Sequence, residues 1–134
     1  MKRFYIPESP IACPRPRVTR QGSAYMPKTY TDWKKSAGAW LFEEWDGHVF
    51  TLPVTLRIVA VFKRRSNTPK KRPDRAWKGT KPDIDNVAKA CLDLMVDVGI
   101  LSDDNIVCRL VVEKHFAALN EDAHIWIEVC NVEE

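Results

Sequence analysis

The sequence has no apolar run long enough to cross a bilayer, and its start, MKRFYIPESP, has no apolar segment of the kind found in signal peptides. Its cysteines stand far apart, with no C-x-x-C pair and no histidine at the spacing of a zinc site. They are Cys13, Cys91, Cys108 and Cys130. We therefore expect reduced thiols, at least two of them in the core, in a cytoplasmic protein without a membrane partner. No internal repeat or domain boundary is visible, so residues 1–134 are expected to form one domain.

Acidic residues are scarce in the first part of the chain, and basic residues are scarce in the last part. Residues 1–82 carry 18 Lys or Arg against 6 Asp or Glu, a balance of +12, whereas residues 83–134 carry 3 against 12, a balance of −9. The positive part favours a polyanion as partner. The acidic part would repel that partner unless cations neutralise its carboxylates, which is a first indication of a bound metal ion.

Two strands and a helix are predicted in the first half of the chain. Alternating Phe4 and Ile6 indicate a short strand, and the Pro- and Arg-rich stretch after it, PIACPRPRVTRQGSAYMPK, is expected to be a loop. A helix is expected from Thr31 to the DGH at 46–48, with a buried stripe at helical spacing. The stripe consists of Tyr30, Trp33, Ala37, Trp40, Leu41 and Trp45. The apolar face of the strand that follows consists of Val54, Leu56, Ile58, Ala60 and Phe62.

A basic loop and a second helix follow. Residues 63–82 hold nine Lys or Arg and one acid, and a loop of this length without periodicity is usually functional or disordered. Behind it, apolar residues recur at helical spacing, and Gly99 stands where a helix C-terminal glycine belongs. That apolar stripe consists of Ile84, Val87, Cys91, Met95 and Val98. Two β-rich runs, NIVCRLVVEKHF and AHIWIEV, are joined by the polar turn ALNED and are predicted to form a hairpin.

The predicted order of elements is β-α-β-α-β-β. Such an order indicates an α+β domain, in which a small mixed or antiparallel sheet carries two main helices packed on one face.

Aspartates crowd the second helix in the stretch TKPDIDNVAKACLDLMVDVGILSDDN, residues 80–105. Each has a structural explanation on its own. Asp83 suits the N-cap of the helix, and Asp85 suits the positive end of the helix dipole. Asp93 and Asp97 lie opposite the apolar stripe, where solvated surface is expected, and SDDN is typical of a turn.

Taken together, the aspartates also predict a metal site. Asp83 and Asp85 can converge at the start of the helix, and Asp104 returns to the same place if the strand after it runs beside the helix start. Clustered carboxylates repel one another, and a divalent cation is an effective way to hold them together. Oxygen ligands favour a hard cation, Mg²⁺ or Mn²⁺, that keeps several waters.

Lys89 connects this cluster with a reaction. It lies one helical turn after Asp85, on the same face of the helix. Behind a basic loop, three carboxylates and a lysine suit the hydrolysis of a phosphodiester. In that reaction the metal activates a water and neutralises charge on the phosphate, while the lysine stabilises the pentacovalent state.

The segment KPDIDNVAKACLDLMVDVGILSDDNIV resembles the signature of the RusA family of Holliday junction resolvases. It contains a D-x-D-N pair, a lysine four residues after the second aspartate, a helix, and a D-D pair leading into a strand. The N-terminal stretch PRPRVTRQGSAYMPKTYTDWKK is also similar to that family, so the resemblance covers most of the chain. The chain departs from the family just before the D-x-D, where it has the long Pro- and Lys-rich loop.

By this resemblance, Asp83, Asp85 and Asp104 are the ligands of a Mg²⁺ site, and together with Lys89 they are the catalytic residues. Family members are homodimers that cut four-way DNA junctions on two opposing strands during recombination and repair, and many are encoded by phages or prophages. The resemblance therefore implies a Mg²⁺-dependent endodeoxyribonuclease whose partners are branched DNA and a second copy of the chain.

Two other functions stay open at the level of sequence. In a non-catalytic nucleic-acid-binding module the basic loop would bind and the aspartates would only cap and solvate, but such a module has no need for Lys89 on the carboxylate face. A nuclease of the PD-(D/E)-x-K kind is a third candidate because KPD begins the stretch. That pattern needs a later acid-x-Lys pair on a strand, which VVEKH does not supply.

Several basic residues are candidates for contacts with DNA phosphates, which are sequence-neutral and sensitive to salt. They are Arg15, Arg17, Arg64, Arg65, Lys70, Lys71, Arg72 and Lys81. Trp77 is the sole aromatic residue of the basic loop, and it either stacks on an unpaired base or docks the loop to the sheet.

Overall fold

The computed structural model describes residues 1–133, which form seven strands, two α-helices and a short 3₁₀ helix. The strands are β1 (Lys2–Ile6), β2 (Arg17–Val18), β3 (Ala24–Tyr25), β4 (Val54–Phe62), β5 (Ala76–Trp77), β6 (Val107–Phe116) and β7 (His124–Asn131). The helices are α1 (Lys28–Glu44) and α2 (Ile84–Val98), and the 3₁₀ helix is Asp104–Ile106.

A five-stranded mixed sheet in the order β1-β7-β4-β6-β5 forms the centre of the fold, and β2 and β3 form a separate two-stranded ribbon. β4 pairs with β6 in parallel and with β7 in antiparallel orientation. Side chains of both helices and of one face of the sheet share the main hydrophobic core. The α+β class with two helices on a mixed sheet is thereby confirmed.

The hairpin predicted for the last two strands is wrong, because β4 lies between β6 and β7. Leu56 and Ile58 of β4 are fully buried, and the most apolar strand takes the central position, where both of its edges are paired. Residues 117–123 therefore cross the width of one strand instead of closing a tight turn. The sequence ALNED marks a turn correctly but carries no information about which strands it brings together.

The first helix begins at Lys28, three residues earlier than expected, and ends at Glu44. Tyr30, Ala37 and Leu41 are fully buried as predicted, but Trp40 is exposed. The buried stripe is centred on those three residues, and Trp40 lies at its margin, about 80° away at 100° per residue. Trp33 and Trp45, at about 60° on either side, pack partly buried against the core.

The second helix confirms most of its predicted stripe. Val87, Cys91 and Met95 are buried and Val98 is partly buried, whereas Ile84, the first helical residue, is exposed. Burial begins only with Val87, so the first turn of α2 extends beyond the core. Gly99 ends the helix with a φ of 102°, and its amide donates to the carbonyls of Met95 and Val96.

The N-terminal stretch predicted as a loop contains the β2–β3 ribbon, which turns at Gly22 with a φ of 85°. The amide of Cys13 donates to the carbonyl of Asn86 at 2.8 Å, which fastens this stretch to the start of α2. All four cysteines are free thiols, and Cys13 and Cys91 are buried, as expected. Within residues 1–133, neither helix combines the length and apolar character needed to cross a membrane.

Candidate active site and DNA-facing surface

Asp83 occupies the N-cap position of α2 with an extended backbone, φ −67° and ψ 143°. Its carbonyl accepts the amides of Asn86 and Val87 at 3.2 Å each, but its side chain makes no capping hydrogen bond. The carboxylate is exposed. A purely structural role as a cap therefore does not account for an acid at this position.

Lys114 of β6 fixes the backbone that leads into Asp83. Its ammonium donates to the carbonyls of Thr80 at 2.8 Å and Pro82 at 2.6 Å, on either side of Lys81. Sequence reasoning missed this residue. The available signal was its position in the strand. Lys114 lies on the same, core-facing side of β6 as Leu110 and Val112, and a lysine on that side requires a polar partner.

Asp85 lies in the first turn of α2, where the positive end of the helix dipole favours a carboxylate. It is exposed, and its Oδ1 accepts the amide of Asn86 at 3.0 Å. Lys89 follows one turn later and is also exposed. Both side chains are therefore open to solvent near the start of the helix.

Asp104 begins the 3₁₀ helix that leads into β6, next to Asp103. A hydrogen bond shared with Asp103 raises the pKa of Asp104, and the charge of Asp93 raises it further, while the charge of Lys89 lowers it. The pKa of Asp103 is lowered because its carboxylate accepts the amide of Asn105. The fold therefore brings Asp104 within electrostatic reach of Lys89 and Asp93 on α2, although 15 and 11 residues separate them in the chain.

Asp93 corrects the sequence analysis, because it is not solvated surface. Its Oδ2 accepts the hydroxyl of the fully buried Tyr30 at 2.9 Å and faces the Sγ of Cys13 at 3.7 Å. Its Oδ1 lies 3.5 Å from the Nζ of Lys89, and the side chain is only 24% exposed. The N-terminal stretch and α1 cover this face of α2, which a periodicity argument confined to one helix cannot detect. Asp97 is exposed as predicted and pairs with Lys34 at 2.6 Å.

Tyr30 is the buried donor that holds Asp93. Burial raises the pKa of its hydroxyl, and the hydrogen bonds to Cys13 and Asp93 raise it further. The phenol therefore stays protonated and donates to the carboxylate throughout the physiological range of pH. Since Oδ2 of Asp93 is taken up by Tyr30, its Oδ1 is the oxygen directed at Lys89.

The three predicted metal ligands, Asp83, Asp85 and Asp104, offer carboxylate oxygens only, which is the donor set that Mg²⁺ and Mn²⁺ prefer. Within residues 1–133, no three histidine, cysteine or acidic side chains lie close enough to hold one cation as they stand. All three carboxylates are exposed on short side chains, and none forms an ion pair with another described residue. Their chemistry therefore fits a hard cation, and side-chain rotation would be needed to gather them around it.

The basic loop, residues 63–82, is folded onto the end of the sheet. Arg64 donates to the carbonyls of Pro69 at 3.1 Å and Arg72 at 2.8 Å, so this predicted phosphate ligand also organises the loop. Arg75 donates to both oxygens of Glu121, the shortest contact being 2.6 Å. That arginine lowers the pKa of Glu121 to about 2. Sequence reasoning missed the pair, which only the fold brings together across 46 residues.

A cavity of about 580 Å³ opens between the basic loop and the end of β6. Its cationic lining residues are Arg64, Arg65, Lys71, Arg72 and Arg75. Trp77 forms part of its wall and packs against His115 in a tilted arrangement, with ring centroids 4.3 Å apart, yet 72% of its surface is exposed. One side of the indole therefore docks the loop to the sheet, and the other remains open to solvent.

Positive charge is concentrated between this cavity and the carboxylates. Burial lowers the pKa of Lys78, and the neighbouring charges of Lys114 and Arg65 lower it further. Lys78 lies over the rings of Phe62 and Phe116, and Arg65 lies over Phe116 from 4.4 Å. Cations that crowd one another in this way are stabilised by an incoming anion.

The remaining predicted DNA ligands are all at the surface. Lys70, Lys71, Arg72 and Lys81 are exposed on the basic loop, and Lys81 lines a depression beside Asp83. Arg15 and Arg17 are exposed in the N-terminal stretch. The bond between Cys13 and Asn86 brings that stretch to the start of α2, so both basic segments flank the same end of the helix.

Comparison with known proteins gives one family. The family model described as endodeoxyribonuclease RusA matches residues 7–129, nearly the whole chain. No curated protein matches the sequence.

Proposed function

The chain belongs to the RusA family of endodeoxyribonucleases, enzymes that resolve Holliday junctions, and from this premise we propose that Asp83, Asp85, Lys89 and Asp104 form its active site. The family is enzymatic, so the reading of the chain as a non-catalytic binding module is set aside. What remains to be assigned is the metal, the residues that act, and the assembly.

The observation that supports this assignment most directly is the placement of Lys89. It lies on the same helix as Asp85, one turn on, and its charge reaches Asp104, which follows the other end of the helix in the chain. A lysine placed between carboxylates of separate elements can stabilise the negative charge that accumulates on the phosphate during phosphodiester hydrolysis. A binding surface for a polyanion would gain nothing from the carboxylates.

We propose Mg²⁺, with Mn²⁺ as a substitute, held by Asp83, Asp85 and Asp104. When bound, the cation supplies charge neutralisation at the phosphate and a water of lowered pKa. Lys89 stabilises the negative oxygens of the pentacovalent phosphorus. Asp93 holds the ammonium of Lys89 on the side of the helix that faces Asp104.

Binding is assigned to the two basic segments. Lys70, Lys71, Arg72 and Lys81 of the basic loop, together with Arg15 and Arg17, flank the carboxylates with exposed cations suited to phosphates. Arg64 and Arg65 add positive charge for binding phosphates. Arg64 also donates to the carbonyl of Arg72 within the loop, and Arg65 packs over the ring of Phe116. The open side of Trp77 is available to an unstacked base.

For a four-way DNA junction as substrate we propose a homodimer that acts in the cytoplasm. A four-way junction resolves into two duplexes only when two strands of like polarity are cut at symmetric positions. One carboxylate cluster per chain provides one cut, so two copies related by a two-fold axis provide the pair.

The direct test is cleavage of a synthetic four-way junction and of a linear duplex with the same sequence. We expect the purified protein to cut the junction in Mg²⁺ or Mn²⁺, to leave the duplex intact, and to lose cleavage on chelation. Junction binding without cleavage in either metal would favour the binding module, and equal cleavage of both substrates would indicate a general nuclease.

A further inference from the structure

Lys114 is a half-buried lysine whose ammonium is bound by backbone instead of by an acid. Among residues 1–133, none of the ion pairs involves this side chain. Its Nζ donates to the carbonyls of Thr80 at 2.8 Å and Pro82 at 2.6 Å. Hydrogen bonds from a charged donor are about twice as strong as those between neutral groups. Two of the three N–H donors of the ammonium are therefore committed to the segment that leads into Asp83.

The bond to Pro82 reaches Asp83 through the peptide group that joins them. A peptide group is planar, so the direction of the Pro82 carbonyl also fixes the direction of the Asp83 amide and the position of its Cα. The ring of Pro82 restricts its own φ to a narrow range. Lys114 and the proline together leave the backbone little freedom to rotate just before Asp83.

Helix α2 holds Asp83 from the other side. The carbonyl of Asp83 accepts the amides of Asn86 and Val87, whereas its side chain makes no capping hydrogen bond and is exposed. The place of the carboxylate is thus set by backbone anchors on both sides. One anchor belongs to the helix itself, and the other comes from β6.

A fixed backbone at Asp83 has a direct use in binding a cation. The three proposed ligands are exposed and must be gathered around the metal, which costs the conformational freedom of each side chain that becomes ordered. An anchor that orders the backbone beforehand lowers that cost. Groups that orient metal ligands typically matter almost as much as the ligands themselves.

We propose that Lys114 is a positioning residue for Asp83. By holding the carbonyls of Thr80 and Pro82, it sets the point from which the Asp83 carboxylate reaches the cation. In this role the ammonium acts through the backbone and contacts neither the metal nor the phosphate. The inference rests on the proposed function, in which Asp83 is a metal ligand.

The test is Lys114→Met, which keeps an apolar stem and removes the charged donor. Mn²⁺ binding to the DNA-free protein, measured by electron paramagnetic resonance, should weaken by about 10- to 100-fold, as is usual when a group that orients a ligand is removed. Single-turnover cleavage of saturated junction should slow at low Mn²⁺ and recover towards the wild-type rate at high Mn²⁺. Junction affinity without metal, and its dependence on salt, should stay unchanged.

The matched control is Arg109→Gln. Arg109 is an exposed cation on the same strand but on the opposite face, where it approaches the hydroxyl of Thr55 at 3.4 Å. Its loss removes the same unit of charge, and both Mn²⁺ affinity and cleavage should match the wild type. If circular dichroism shows Lys114→Met to be unfolded, Lys114→Gln replaces it, because the amide can still donate to a carbonyl. The same changes are expected there, in smaller measure.

Four outcomes would overturn the inference. Weaker junction binding with an unchanged rate would show that Lys114 is a phosphate contact. A rate that excess Mn²⁺ does not restore would show that it does not act through a metal ligand. Lys114→Met with wild-type Mn²⁺ affinity and rate, beside an inactive Asp83→Asn, would refute this inference and leave the proposed function intact. An active Asp83→Asn, or a wild type that binds no Mn²⁺, would refute the proposed function as well.

Discussion

Asp93 lies on the face of α2 that the apolar stripe leaves to solvent, yet Tyr30 and Cys13 cover it from outside the helix. A hydrogen bond from a buried phenol to a carboxylate is stronger than one between neutral groups. It fixes the orientation of Asp93 and leaves one oxygen for Lys89. At the residue scale, the proposed active site therefore includes Asp93, an acid that positions the proposed catalytic lysine, Lys89.

Asp85→Asn should abolish cleavage and leave junction binding intact or tighter. The change keeps the shape of the side chain but removes a ligand charge that faces a polyanion. Asp83→Asn and Asp104→Asn should behave alike in cleavage and gel-shift measurements, with Asp97→Asn as the control on the solvated side. Cleavage by Asp85→Asn at a rate near that of the wild type would remove Asp85 from the site.

Asp93→Asn should slow cleavage of fully bound junction by about 10- to 100-fold, the usual effect of changing a residue that orients a catalytic group. The amide can still accept from Tyr30 but no longer holds the ammonium of Lys89 by charge. Single-turnover rates at saturating protein measure this step apart from binding. Asp97→Asn, which breaks a surface ion pair one turn away, is the matched control, and equal rates for the two variants would contradict a positioning role for Asp93.

At the scale of elements, local sequence patterns correctly predicted the strands and helices whose formation depends on residues close together in the chain. The alternation over β4 and the period of α2 follow from burial of one face, and Gly99 ends α2 because its φ of 102° suits glycine. The β6–β7 hairpin was wrong because strand neighbours are chosen by burial across the whole sheet. Lys114 and Glu121 were missed because their partners come from distant segments.

The anchor of the basic loop should make the protein sensitive to acid. Arg75 depresses the folded-state pKa of Glu121 to about 2 from 4.5, so the ion pair contributes stability that is fully present above pH 4.5 and is lost as the pH falls towards 2. Glu121→Gln should lower the melting temperature at pH 7 and show less further loss over that window. Thermal melts between pH 7 and pH 2 check this, and parallel pH dependence in the two proteins would show that the pair does not hold the loop.

Neutralising Lys70, Lys71 and Arg72 to Gln together should weaken junction binding and flatten its dependence on salt. Each lost phosphate contact lowers the slope of log affinity against log salt by about one unit. The rate of cleavage on saturated junction should change little, because the active site keeps its charges. A variant with Lys2, Arg3 and Lys35 neutralised, all exposed outside the loop, controls for net charge. An unchanged slope in the loop variant would mean that these residues are merely solvated.

At the scale of the whole molecule, the charge asymmetry of the sequence becomes a spatial arrangement. The basic loop runs from the end of β4 directly into Asp83, so the most positive segment meets Asp83 and Asp85 at the start of α2. The sequence signature indicated this meeting because loop and helix are adjacent in the chain.

The central claim, symmetric cleavage by a dimer with one active site per chain, is tested most directly on a supercoiled plasmid that extrudes a cruciform. A first nick releases the supercoiling and lets the junction be reabsorbed, so a linear product requires two cuts within the lifetime of one complex. We expect the wild-type protein in Mg²⁺ to convert the plasmid directly into the linear form, and Asp85→Asn to leave it supercoiled. Accumulation of nicked circles without linear product would contradict paired cleavage, and linear product from Asp85→Asn would contradict the assigned site.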